Sequence, residues 1–214
     1  MEFPNAELET LRAINARLLR DIEVLKQREA HALMLADRDG LTGLYNRRRM
    51  SELLEQTVAE ASARDERFAL LFIDLDGFKR INDHFGHSLG DELLTTVAGR
   101  VSTRARTGDI VCRFGGDEFV VILPRVPGRH AAEDIAAAIA NLLSLPYKLS
   151  GEELRITAAV GLSMFPDDGR DPADLIRRAD QLMYRAKAEQ VTAESLSAVL
   201  TRRRDDRTKQ DGGW

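Results

Sequence analysis

Arg113-Phe114-Gly115-Gly116-Asp117-Glu118-Phe119 is the stretch on which the reading of this chain turns. Apolar residues flank it, Ile110-Val111-Cys112 before and Val120-Val121-Ile122-Leu123 after. The two glycines therefore read as a two-residue hairpin turn, whose central positions favour positive φ. Such a turn needs no acids directly after it, and strands avoid consecutive acids. Asp117 and Glu118 are thus either a polar hairpin end or part of a reactive site. A second acidic cluster favours the site. Phe68-Ala69-Leu70-Leu71-Phe72-Ile73 is a continuous apolar run, suited to a strand buried on both faces, and it ends in Asp74-Leu75-Asp76-Gly77-Phe78-Lys79. Carboxylates at the end of a buried strand, facing carboxylates at a hairpin, make a hard-oxygen site of the kind that holds Mg²⁺ together with phosphate oxygens.

The 214 residues suffice for one well-cored domain with length to spare. A net charge of −4 argues against a nucleic-acid surface, since such domains carry a basic excess. No apolar run reaches the roughly 18 to 20 residues of a membrane helix. Met1-Glu2-Phe3-Pro4-Asn5 lacks the basic start and apolar core of a secretion signal, so the expected location is the cytoplasm. The single Cys112 cannot form an internal disulfide and reads as a small buried hydrophobe. The four histidines, His87 among them, lack metal-ligand spacing and give no support for a zinc site.

From residue 6 to 36 the chain has no glycine or proline, and Leu8, Leu11, Asn15, Leu18, Ile22, Leu25, Glu29 and Ala32 step alternately by three and four residues. That is a heptad seam, with Asn15 at a core a-position where an amide fixes register and a two-stranded state. The competing reading is an amphipathic helix packed on its own domain. Residues 37–46 hold two glycines and several capping residues and read as a hinge. Helices are expected over 47–63, 91–104, 131–143 and 172–188, a buried strand over 68–74, a hairpin over 109–123, and a strand carrying Ile156, Ala158, Val160 and Leu162 with one face covered. Interleaved in this order they predict an α/β sandwich of the ferredoxin-like kind, a mostly antiparallel sheet flanked by helices. The domain plan is a dimerisation stalk over 1–36, a catalytic domain over 37–190 and a C-terminal extension over 191–214. In that extension Thr192 caps one more short helix through Leu196, Val199 and Leu200, followed by a solvated tail.

Six separated motifs, in order, resemble the GGDEF family of bacterial diguanylate cyclases. They are Asp39-Gly-Leu-Thr-Gly-Leu-Tyr-Asn-Arg-Arg48, Asp74-Leu-Asp-Gly-Phe-Lys79, Asn82-Asp83, Gly86-His-Ser-Leu-Gly-Asp91, Gly115-Gly-Asp-Glu-Phe119 and Ala179-Asp-Gln-Leu-Met-Tyr-Arg-Ala-Lys187. The resemblance implies a nucleotidyl-cyclase fold, bacterial signalling, and condensation of two GTP into cyclic di-GMP with release of two pyrophosphates. It implies a two-metal site of Mg²⁺, or Mn²⁺, held by Asp74, the carbonyl of Leu75, Asp117 and Glu118, with Asp117 also placed to accept the proton of the attacking hydroxyl. Asn82 and Asp91 match the guanine contacts, Gly77, Phe78 and Lys79 the phosphate-lining stretch, and Lys187 a triphosphate-binding lysine. Read without the family, Asp91 is an N-cap of the helix after it, and Lys187 belongs to a solvated face.

Arg106-Thr107-Gly108-Asp109 resembles the family's product-inhibition site, in which Arg106 stacks on and bonds a guanine and Asp109 accepts from it. The chain departs from the family at Ala137, where some members carry a further product-binding arginine, and at Val191, where a second triphosphate-contacting arginine is absent. Each domain holds one GTP and the product is two-fold symmetric, so a homodimer joined by the N-terminal heptads is the expected working form. A non-catalytic receptor for cyclic di-GMP or GTP on the same fold is the alternative, and a different nucleotide cyclase on a related fold is a third reading. No nucleic-acid partner and no membrane span are expected.

Overall fold

A computed structural model describes residues 5–189, with side chains for 8–28 and 36–189. A long helix α1 (Asn5–Asp37) leads into β1 (Tyr45–Asn46) and α2 (Arg47–Arg64). Then come β2 (Phe68–Leu75), α3 (Phe78–Phe85), α4 (His87–Arg104), β3 (Ile110–Arg113), β4 (Glu118–Pro124), α5 (Arg129–Leu143), the small hairpin β5 (Tyr147–Leu149) and β6 (Glu152–Leu154), β7 (Ala158–Phe165) and a last helix, α6 (residues 172–189). The main sheet has the order β1-β3-β4-β2-β7; only β1 and β3 run parallel. The expected α/β sandwich is observed.

Burial alternates along β2 as a central strand requires. Ala69, Leu71, Ile73 and Leu75 join the core beneath α4 and α5, while Phe68, Leu70 and Phe72 join a second core with Met50 and Leu54 of α2 and Leu175, Ala179 and Met183 of α6. On β4, Phe119, Val121 and Leu123 take the first side, and Val120 and Ile122 the second. Parity therefore assigns Asp74 and Glu118 to the α2 and α6 side, and they are direct partners in the β2–β4 register.

The helix expected from 91 begins earlier, at His87, and the polar stretch before it forms helix α3. Gly86, with φ 84°, separates them, and its N–H donates to the Asn82 carbonyl. Asp91 is consequently no N-cap; it lies in the second turn of α4. The hairpin carrying Gly115 and Gly116 is not a two-residue turn either. Residues 114–117 connect the strands, neither glycine has positive φ, and the loop is closed by Phe114 N–H donating to Glu118 O at 2.8 Å. A Cβ on Gly115 would lie 2.7 Å from Glu118 Oε2, so the bare glycine leaves room for the Glu118 carboxylate where it stands. The two-residue turn with positive φ occurs instead at Ser150 (46°) and Gly151 (88°), in the unanticipated β5–β6 hairpin. β7 is buried on both faces rather than one. Cys112 is fully buried, and that burial pushes its thiol up to about 12. Thr192, Leu196, Val199 and Leu200 lie outside the described residues.

Helix α6 crosses β7 at Gly161, where an added Cβ would sit 1.9 Å from Ala179 O and 2.3 Å from Met183 N. Both obstacles are helix backbone, which cannot rotate aside. Gly161→Ala is therefore expected to destabilise the protein by about 3 kcal/mol or more, measured by urea unfolding. A variant within about 0.5 kcal/mol of wild type would show that α6 is free to shift.

Candidate active site

At the hairpin end of β4 three acids gather. Asp74 and Glu118 are register partners, and Leu75 N–H donates to Asp117 O at 3.3 Å, tying the loop to the end of β2. Burial raises the pKa of the half-buried Asp117 carboxyl, and the charge of Asp74 raises it further. Glu118 is raised by burial and then by Asp74, Asp117 and Asp180. Asp180 was not anticipated, although it stands within the motif at 179–187. Its i, i+1 position beside Ala179 on α6 brings its charge toward Glu118.

Lys187 is not on a solvated face. It follows Leu175, Ala179 and Met183 at intervals of four, on the stripe of α6 that meets the sheet. Its ammonium donates to Asp74 Oδ1. Burial opposes its charge, yet the bond to Asp74 and the fields of Asp74, Asp76 and Asp117 outweigh that and hold its pKa above the usual lysine range. Asp76 turns aside, its Oδ2 accepting from Thr157 Oγ1 at 2.6 Å.

Among the described residues no three His, Cys, Asp or Glu side chains form a ready-made metal cage. The donor set nevertheless fits a hard divalent cation: mutually repelling carboxylates, one of them neutralised only by a mobile ammonium. Mg²⁺ characteristically takes one or two carboxylates and fills its sphere with water and substrate phosphates.

On the far side of this cluster Gly77, with φ 73°, precedes α3 without any side-chain cap on the helix amides, and Lys79 is exposed. Phe78 packs on the core. Asn82 Oδ1 is buried without a hydrogen-bond partner, and it rests where a Cβ of Gly90 would be, 1.9 Å away. Asp91 is the exposed residue immediately after Gly90. Asn82 and Asp91 thus flank one position on the α3–α4 pair.

Arg113 was quoted in the sequence but given no role. Its Nε and Nη2 donate to Gly116 O at 3.1 and 2.8 Å, and its Nη1 reaches both oxygens of Asp39 at 3.2 Å. Asp39 also accepts from Thr42 N and Oγ1. Burial works against ionisation of Asp39, but the Thr42 and Arg113 bonds hold its pKa below the usual carboxylate range. Arg106 and Asp109 sit elsewhere, at the opposite end of the hairpin. Given the six-step length of β4 from Glu118 to Pro124, they lie on the order of 20 Å from the acids and belong to a separate site. Val191 lies outside the described residues.

With this geometry in view, the family model described as "Diguanylate cyclase, GGDEF domain" matches residues 36–192. The chain is 43% identical over 155 residues to the bifunctional diguanylate cyclase/cyclic di-GMP phosphodiesterase MucR of Pseudomonas aeruginosa, covering 72% of this chain and 22% of that protein. It is 38% identical over 168 residues to the response regulator PleD of Caulobacter vibrioides, covering 78% of this chain and 37% of PleD. The chain therefore spans between about a fifth and two fifths of the length of these relatives. Among solved structures, the coiled coil and GGDEF domain of DgcB from Caulobacter crescentus, in complex with cyclic di-GMP, superposes with a TM-score of 0.76 at 28% identity, covering 84% of this chain and 95% of that one.

The raised carboxyls have a consequence for stability. An acid whose folded pKa lies above its unfolded value binds protons more readily when folded, so stability falls as pH rises from the ordinary carboxylate range through the raised value. Asp117→Asn removes one of the repelling charges. In cation-free buffer at neutral pH it is expected to raise Tm by roughly 2–4 °C, the worth of about 1 kcal/mol at a solvent-screened site. The gain should vanish below the ordinary carboxylate range, and a lower Tm at neutral pH would refute the repulsion.

Proposed function

The chain belongs to the GGDEF family of diguanylate cyclases, and from that premise we propose that it condenses two GTP into cyclic di-GMP and releases two pyrophosphates. The observation that carries this reading is the β2–β4 register that pairs Asp74 with Glu118 while the Asp117 carbonyl is bonded to Leu75. Asp74, the Leu75 carbonyl, Asp117 and Glu118 are the residues that would hold divalent cations, Mg²⁺ or Mn²⁺. Bound there, such ions would neutralise the leaving pyrophosphate and acidify the attacking 3′-hydroxyl.

The chain's own groups do the rest. In each of two steps a 3′-oxygen bonds to the α-phosphorus of the facing GTP, and the bond from that phosphorus to the β-phosphate bridging oxygen breaks. Asp117, its pKa raised by burial and by Asp74, is the carboxylate assigned to accept the departing proton. Triphosphate would draw the Lys187 ammonium from Asp74 to its own oxygens, leaving the Asp74 carboxylate free to hold a divalent cation. The uncapped first turn of α3, after Gly77, offers the amides of Phe78 and Lys79 to phosphate oxygens. Asn82 Oδ1, buried and unpartnered, supplies an acceptor for guanine N–H groups, and Asp91 a second one. Adenine lacks those donors and would leave both acceptors unpaired.

One such domain holds one GTP, so two must face each other. Leu8, Leu11, Leu18, Ile22 and Leu25 of the heptad seam are 40%, 60%, 54%, 47% and 62% exposed, which leaves α1 an apolar stripe to pair with a second copy. At the other end of the hairpin, Arg106, held by Asp109, would bind product and restrain turnover.

Two measurements test the reading. Purified chain with Mg²⁺ and GTP should yield cyclic di-GMP on anion-exchange chromatography, and Asp117→Asn should lower the rate by about a hundredfold or more. Near-native turnover in that variant would refute the assignment. In the full chain, Leu18→Glu with Ile22→Glu should shift sedimentation to the monomer and reduce turnover steeply at low protein concentration. Full activity as a monomer would sink the facing-domain mechanism.

A further inference from the structure

Resting on the product-site reading, we infer that Arg125 is the phosphate-binding cation of that site, supplied by the same chain that supplies Arg106. A cavity of about 240 Å³ is lined by Arg106, Thr107, Gly108, Asp109, Pro124 and Arg125. A second, of about 220 Å³, shares Gly108, Pro124 and Arg125 with it, so Arg125 stands between the two.

The guanidinium of Arg106 is already committed on one edge. Its Nε donates to Asp109 Oδ1 at 3.2 Å and its Nη2 to Pro124 O at 3.0 Å, while its backbone N–H donates to Asp109 Oδ2 at 2.9 Å. Asp109, whose side chain is only 4% exposed, has both oxygens occupied by Arg106. The pair is a fixed planar surface suited to a base, with Asp109 orienting Arg106 rather than reaching a ligand. A guanine dinucleotide also brings phosphodiester charge, and nothing in this pair neutralises it.

Arg125 has what is missing. It is exposed and, among the described residues, makes no ion pair or hydrogen bond. The neighbouring cations of the second cavity are taken, Arg64 by Glu60 at 3.7 Å and Arg67 by Asp167 at 3.3 Å. Its backbone is left-handed, φ 54°, a conformation unfavourable for any residue with a Cβ. The strained residue directly follows Pro124, whose carbonyl holds Arg106, so one peptide anchors the Arg106 guanidinium and carries the Arg125 backbone beside it. A planar, unpaired guanidinium beside a base-stacking one matches a phosphodiester joined to a purine. It also answers the absence of an arginine at Ala137 without a second chain.

Calorimetric titration of cyclic di-GMP into the full chain, with inhibition assays in parallel, tests this. Arg125→Ala is expected to weaken binding at least about tenfold and to flatten its salt dependence, with turnover at low product unchanged. Arg125→Lys should restore part of the affinity. If Arg106→Ala abolishes binding while Arg125→Ala binds as wild type does, the inference is overturned and the product site stands. If neither variant changes affinity, the product-site reading itself fails.

Discussion

Everything at this site follows from a like-charge contact built into the sheet. Strand register makes Asp74 and Glu118 neighbours, and the loop closure adds Asp117 beside them. Two adjacent carboxylates on paired strands are unfavourable, the more so at the edge of a dry core. The fold tolerates this because α6 delivers an ammonium to the same place. Lys187 is there because Leu175, Ala179 and Met183 anchor the stripe that it ends, and because Gly161 lets the helix backbone lie against β7. A glycine in the interior of a strand usually weakens it. Here it sets the height of a helix and, through it, the position of a charge.

The loop that carries Asp117 is held from outside the sheet. Arg113 grips the Gly116 carbonyl and, with its other edge, Asp39 in the turn that follows α1. That turn is itself clamped. Asn46 accepts from Arg49 N as the N-cap of α2 while its amide donates to Ala36 O at 2.7 Å, and Arg48 and Arg49 pair with Asp37. The residues that read as a glycine hinge are thus cross-linked by side chains. A rotation of α1 cannot be absorbed there without disturbing Asp39, and Asp39 shares a guanidinium with the 114–117 loop. The end of α1 and the acids are thus joined through side chains although 80 residues of sequence separate Asp37 from Asp117.

Much of this was legible in the residues. The apolar run ending in Asp74 and the helical stripes of α2, α5 and α6 carry periodicities that survive folding, because burial on fixed faces is what produces them. What was misread depends on contacts that have no local trace. The glycines at 115 and 116 suggested positive φ, but neither has it, because the connection runs over four residues, 114–117, rather than two. Gly90 lies inside α4, and Asn82 Oδ1 sits 1.9 Å from where its Cβ would be, a contact with no local trace. The β5–β6 hairpin, with three residues in each strand, is too short for alternation to announce it. Arg113 and Asp180 lay inside recognised motifs and lacked only a partner, which tertiary structure alone supplies.

The same close approach explains why recognition and chemistry are separable here. Asn82 is buried with an unsatisfied oxygen, a costly arrangement unless something completes it. It rests against the bare Gly90 and accepts no hydrogen bond. The acids at the hairpin are unsatisfied in the opposite sense, with excess negative charge and too few cations. Asn82 lies four residues along α3 from Phe78, about 6 Å of helix rise, and lacks donors, while the acids beyond the first turn lack cations. A ligand with N–H donors at one end and phosphates that recruit cations at the other would relieve both at once, whereas a compact anion would meet only one of the two needs.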